Sequence, residues 1–122
     1  MKALVIDDSK TIRTVIARIF DGLGFSVVQA ENGKLALDRV IAEPDFDVLL
    51  VDWNMPVMNG LEFVQHVRAR PELANTPILM ITTETEMDRV VAALEAGVNE
   101  YLMKPFTREA LAEKLTMIGV VG

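Results

Sequence analysis

Cysteine is absent from the 122 residues, which excludes thiol catalysis, disulfide stapling, cysteine-ligated zinc and iron–sulfur chemistry. Histidine occurs once, as His66, so no histidine cluster can build a metal or proton-relay centre. Basic residues are outnumbered, 12 Lys and Arg against 18 Asp and Glu, and the formal charge is −6. No stretch concentrates the Lys and Arg that bind a phosphate backbone, so nucleic-acid binding by this chain alone is not expected. No apolar run approaches the roughly 18 residues of a membrane span. The apolar start, Ala3 to Ile6, meets Asp7 and Asp8 at once and is too short for a signal-peptide core, so a cytoplasmic location is expected. Gly (7) and Pro (5) are scattered, with no low-complexity tract or linker, and residues 1–122 read as one domain.

What is present is a regular alternation. Ala3–Ile6, Val48–Val51, Ile78–Ile81 and Tyr101–Met103 are short apolar runs of the kind found in strands buried on both faces. Phe25–Ala30 mixes Ser26 and Gln29 among apolar residues, as an edge strand does. Between these runs apolar residues recur at helical spacing. The first set is Ile12, Val15, Ile16, Ile19, Phe20 and Leu23, with Ser9 as N-cap and Gly22 or Gly24 as stop. The rhythm returns in Ala36–Ile41, in Leu61, Val64 and Val67, in Met87, Val90, Val91 and Leu94, and in Leu111, Leu115 and Ile118. Strand and helix alternate five times over short connections. That pattern predicts an α/β fold, a (βα)₅ doubly wound parallel five-stranded sheet with helices on both faces and the flavodoxin-like order 2-1-3-4-5.

In such sheets ligands bind beyond the carboxyl ends of the strands, near the point where strand order reverses. Strand 1 ends in Asp7-Asp8, strand 3 in Asp52, strand 4 in Thr82-Thr83 and strand 5 in Lys104-Pro105. Each residue taken singly has a plain reading: an N-cap, a turn aspartate, a surface lysine. Their joint occurrence at four strand ends predicts one crevice holding three carboxylates, a hydroxyl and an ammonium. Crowded carboxylates raise one another's pKa unless a cation sits among them. Mg²⁺ suits a shallow oxygen site that phosphate oxygens complete. Lys104 and Thr82 could then contact the remaining phosphoryl oxygens as a phosphoryl group arrives in line on Asp52.

These residues resemble the response-regulator receiver domains, and the resemblance runs end to end: Asp7-Asp8, Asp52, Pro56 and Gly60 in the next loop, Thr82, then Lys104-Pro105. Asp52-Trp53-Asn54-Met55-Pro56, with Tyr101 ahead of Lys104-Pro105-Phe106, is similar in particular to the single-domain chemotaxis CheY type. The resemblance implies a phosphorylation switch of a two-component system, not an enzyme acting on a separate substrate. Asp52 would be charged by a histidine kinase or histidine phosphotransfer domain. Asp8, Asp52 and the Asn54 carbonyl would bind Mg²⁺, and Asp7 would act through a metal-bound water. Lys104 would pair with the phosphoryl group, with a cis Lys104–Pro105 bond. Thr82 and Tyr101 would switch, and Asn54 and Glu84 would modulate dephosphorylation. The chain would work as a monomer, signalling through the fourth helix, fifth strand and fifth helix to a protein target such as a flagellar motor component.

Thr83 is bulkier than the residue often found beside the switch threonine. His66 reads as a solvated helix residue, Trp53 as partly exposed near the metal, and the methionines, Met80 and Met103 included, as core filling. Asn32-Gly33 and Asn59-Gly60 read as turns that start helices. A haloacid-dehalogenase-type phosphatase is the main alternative, but it calls for Asp-x-Asp and a cap domain. A receiver-like module that no longer takes phosphate is the other, and the intact acid, threonine and lysine set argues against it.

Overall fold

The computed structural model describes residues 1–120, apart from the side chains of Glu84 and Thr85. Five strands, β1 (Lys2–Ile6), β2 (Ser26–Ala30), β3 (Val48–Asp52), β4 (Ile78–Thr82) and β5 (Glu100–Met103), alternate with helices α1 (Lys10–Gly22), α2 (Gly33–Ala42), α3 (Gly60–Arg68), α4 (Val90–Ala96) and α5 (Arg108–Met117). All strand pairs are parallel and the order is β2-β1-β3-β4-β5, as the alternation predicts.

β3 and β4 are buried at every position, which explains why their sequences show no polar alternation. The pleat still sorts their side chains between two faces. Ala3, Val5, Val48, Leu50, Leu79 and Ile81 pack with Ile16 and Phe20 of α1 and Leu111 and Leu115 of α5. Leu4, Ile6, Leu49, Val51, Ile78 and Met80 point the other way, onto α2, α3 and α4. Truncating a central leucine such as Leu50 to alanine would cost about 2–5 kcal/mol. β2 carries its exposed Ser26 and Gln29 at the sheet edge, as expected.

Local signals set most helix starts. Ser9 accepts from the Ile12 N–H, Asn32 from Leu35, and Thr107 from Ala110; Asn59 and Glu62 form a reciprocal capping box. The fourth helix departs from the expected rhythm. A 3₁₀ segment, Glu84–Arg89, precedes a short α4, and Val90 and Ala93 are buried while Val91 and Leu94 face outward. The apolar periodicity there therefore mixes core positions with an exposed face. At the end of the sheet away from the acids, Arg68 donates to the carbonyls of Gly97 (3.0 Å), Leu73 (3.0 Å) and Ala74 (3.2 Å) and to Asn99 Oδ1 (3.1 Å), tying α3 to the α4–β5 connection. Among the described residues no helix is long and apolar enough to cross a membrane.

Candidate functional site

Strand register brings the polar residues level. Ile6 pairs with Val51, so Asp7 and Asp52 leave adjacent strands side by side. Asp52 pairs with Ile81 and Thr82 with Met103, so Thr82 and Lys104 stand just beyond them. β1 and β3 flank the point where strand order reverses, and their loops diverge to leave a crevice.

Within it, oxygens of Asp7, Asp8 and Asp52 all lie within 4.8 Å of one another. Asp7 is the deepest, 2% exposed, and the most tightly held. Its Oδ1 accepts from the Ser9 N–H at 2.9 Å and its Oδ2 from Lys104 Nζ at 3.2 Å. The Asp7 carbonyl accepts from Arg13 Nη1 at 2.7 Å, and its N–H donates to Ala30 O, which prolongs the β1–β2 ladder. Asp8 stands at the exposed rim. Asp52 is 8% exposed, with Lys104 Nζ 3.8 Å from Oδ1. Burial and the nearby Asp7 charge push its carboxyl up to about 6, against the pull of Lys104 and of the Asn54 backbone N–H.

Thr82 is 1% exposed, and its hydroxyl donates over a long 3.3 Å to the Thr83 carbonyl. Its own carbonyl accepts from the Lys104 N–H at 2.8 Å, locking β5 to β4 where the lysine leaves the sheet. The Lys104–Pro105 peptide is cis. Thr83 Oγ1 donates to Glu86 Oε1 at 2.9 Å. Tyr101 is half-buried, its ring under Lys114 Nζ at 4.9 Å.

The donor set fits a hard divalent cation. Octahedral Mg²⁺ at about 2.1 Å from each oxygen needs ligand oxygens about 3–4 Å apart. The cluster can close to that with small side-chain movements. The residues placed there by sequence reasoning, Asp7, Asp8, Asp52, Thr82 and Lys104, are therefore together. The Glu84 side chain lies outside the described residues.

Two expectations are corrected. Trp53 is 4% exposed, because its ring lies over Gly60, where an added Cβ would come within 2.5 Å of Cε3; it belongs to the α2–α3–α4 core. The methionines are not uniformly core: Met80 is fully buried, Met103 only partly, and Met117 is exposed. His66 is exposed, as expected of a solvated helix residue, and Asn32 and Asn59 do start helices. Sequence reasoning missed two arginines. Arg13 braces the Asp7 carbonyl, and Arg89 donates to Asn54 Oδ1 at 2.8 Å. Neither carries a sequence signal, since both contacts cross between elements.

Residues 3–116 match the response regulator receiver domain family. The chain is 48% identical over 119 residues to the chemotaxis protein CheY1 of Helicobacter pylori, covering 97% of this chain and 96% of that one. The structure of the chemotaxis protein CheY4 of Vibrio cholerae superposes with a TM-score of 0.89 at 38% identity, over 96% of this chain and 97% of the other. The receiver domain of the sensor histidine kinase PA1611 from Pseudomonas aeruginosa, described with a magnesium ion coordinated in the active site cleft, superposes with a TM-score of 0.86 at 30% identity, over 97% of each chain.

Proposed function

The chain belongs to the family of response regulator receiver domains, and from that premise we propose that Asp52 is the phosphoacceptor of a two-component signalling switch, serving chemotaxis. The observation that carries this reading is the meeting of three carboxylates within 4.8 Å beside an ammonium 3.8 Å from Asp52.

Asp8, Asp52 and the Asn54 carbonyl would hold Mg²⁺, with Asp7 reaching it through water. When bound, the ion neutralises the acids and draws charge from the phosphoryl oxygens. The remaining work belongs to the chain. An Asp52 carboxylate oxygen attacks phosphorus on a donor phosphohistidine; the P–N bond breaks and its electron pair stays with the imidazole. Lys104, already beside Asp52, pairs with one phosphoryl oxygen, and the Thr82 hydroxyl, weakly engaged in the uncharged protein, turns to another. Movement of Thr82 opens space toward which Tyr101 rotates, and the surface of α4, β5 and α5 changes for a protein target such as a flagellar motor component. Hydrolysis of the acyl phosphate, modulated by Asn54 and Glu84, resets the switch. In this reading residues 1–122 form one monomeric, cytoplasmic receiver whose output is a binding surface and not a released product.

The test is incubation with acetyl phosphate and Mg²⁺ followed by intact mass. The wild type should gain one phosphate and Asp52→Asn none; equal gain by both rules out Asp52 as the acceptor.

A further inference from the structure

We infer that Arg13 is a positioning residue for the cation: by holding the peptide group that joins Asp7 to Asp8, it places the Asp8 carboxylate and raises Mg²⁺ affinity. The inference rests on the cation site proposed for Asp8 and Asp52.

β1 and β2 run parallel in a register that pairs Ile6 with Ala30, and the Asp7 N–H donates to the Ala30 carbonyl at 3.1 Å. In a continued parallel ladder the Asp7 carbonyl would next accept from the N–H two places further along the partner, that of Asn32. But β2 ends at Ala30, and Asn32 caps α2 with its side chain on the Leu35 N–H. The Asp7 carbonyl accepts instead from Arg13 Nη1 at 2.7 Å. A helical side chain leans toward the N-terminus of its helix, so Arg13, near the start of α1, reaches back over the loop that carries the acids. Its Nε donates to Gln29 Oε1 at 3.2 Å. That bond ties the guanidinium to the sheet edge, where it lines a hollow of about 370 Å³ open to solvent.

The bonded carbonyl belongs to the planar peptide between the two acids. Fixing that plane fixes where the Asp8 Cα sits and leaves only the torsions of Asp8 itself to aim its carboxylate. Asp7 has two further anchors, the Ser9 N–H and Lys104. Asp8 stands at the exposed rim, and among the described residues its carboxylate takes no hydrogen bond or ion pair. It therefore depends most on Arg13.

The arginine acts on a cation in two opposite ways. As a charge it repels Mg²⁺, so its loss would tighten binding. As a brace it keeps a metal ligand in place, and losing such a support typically costs about tenfold in affinity. Solvent in the hollow screens the charge, so the brace prevails.

The test is Mg²⁺ titration calorimetry at one pH on the wild type, Arg13→Ala, Gln29→Ala, their double variant and Asp8→Asn, with folding checked by circular dichroism. Arg13→Ala should weaken binding about tenfold, and Gln29→Ala, which changes no charge, about two- to threefold. Gln29→Ala should add nothing once Arg13 is gone. Unchanged or tighter binding in Arg13→Ala overturns the inference, as does a Gln29→Ala effect of equal size with and without Arg13. Should Arg13→Ala not fold, Gln29→Ala decides: weaker binding supports the inference and unchanged binding overturns it. A wild type that binds no Mg²⁺, or Asp8→Asn that binds as tightly as wild type, overturns the cation site and this inference with it. A wild type that needs Asp8 and ignores Arg13 overturns this inference alone.

Discussion

Lys104 and Asp7, 97 residues apart in sequence, meet at 3.2 Å, closer than the 3.8 Å that separates the same ammonium from Asp52. The lysine thus leans on Asp7 more closely than on Asp52, the proposed phosphoacceptor. It neutralises oxygens that a divalent cation would also seek.

That sharing makes ammonium and cation competitors. Lys104→Met should bind Mg²⁺ about three- to tenfold more tightly by titration calorimetry, since a positive charge near the acids is gone. Phosphate uptake from acetyl phosphate should nevertheless fall about a hundredfold, because a donor to the transferring group is lost. Weaker Mg²⁺ binding in the variant would contradict the shared-oxygen picture.

The raised pKa of Asp52 gives a signed pH dependence. Its carboxyl titrates near 6 in the folded chain and near 3.8 when free. The folded state therefore holds the proton more firmly, and the stability this contributes is full below about pH 4 and lost as pH rises through 6. Above that, metal-free protein carries an unfavourable buried charge, so Asp52→Asn should be more stable by about 1–2 kcal/mol at pH 7.5, allowing for solvent screening at the pocket mouth. The gap should close near pH 4 in urea titrations. Mg²⁺ affinity of the wild type should drop about tenfold per pH unit below 6.

Val57 takes a φ of 70° although it is β-branched and 80% exposed. The Met58 N–H donates to the Pro56 carbonyl at 2.7 Å, which closes a tight γ-turn around it. Val57→Asn or Val57→Gly should relieve the strain and raise stability by about 0.5–1.5 kcal/mol, read as a higher urea midpoint with an unchanged slope.

Gly60 is required by contact. A Cβ there would stand 2.5 Å from Trp53 Cε3, 2.9 Å from Trp53 Cα and 3.0 Å from the Asp52 carbonyl. None of these is a flexible side-chain tip, so Gly60→Ala must displace the end of β3. It should cost about 2–4 kcal/mol and slow phosphorylation, which paired urea and intact-mass measurements would report.

The fold was legible because short apolar strands alternate with segments of helical period, and the helix-starting Ser9, Asn32 and Asn59 act locally. The acid cluster was legible because strand ends are positions that topology alone brings together. Three features were not. The outward turn of Val91 and Leu94 depends on the 3₁₀ segment before them, a backbone choice that apolar spacing does not encode. The burial of Trp53 depends on the small Gly60 seven residues later. The Arg89–Asn54 bond depends on how two loops lie against each other.

The ammonium of the pocket comes from the last strand, while the acids come from the first and third. During synthesis a chain finished only through β4 already owns every carboxylate but lacks the positive group beside them. The charge of the pocket is thus balanced only once β5 docks and brings Lys104 beside Asp7.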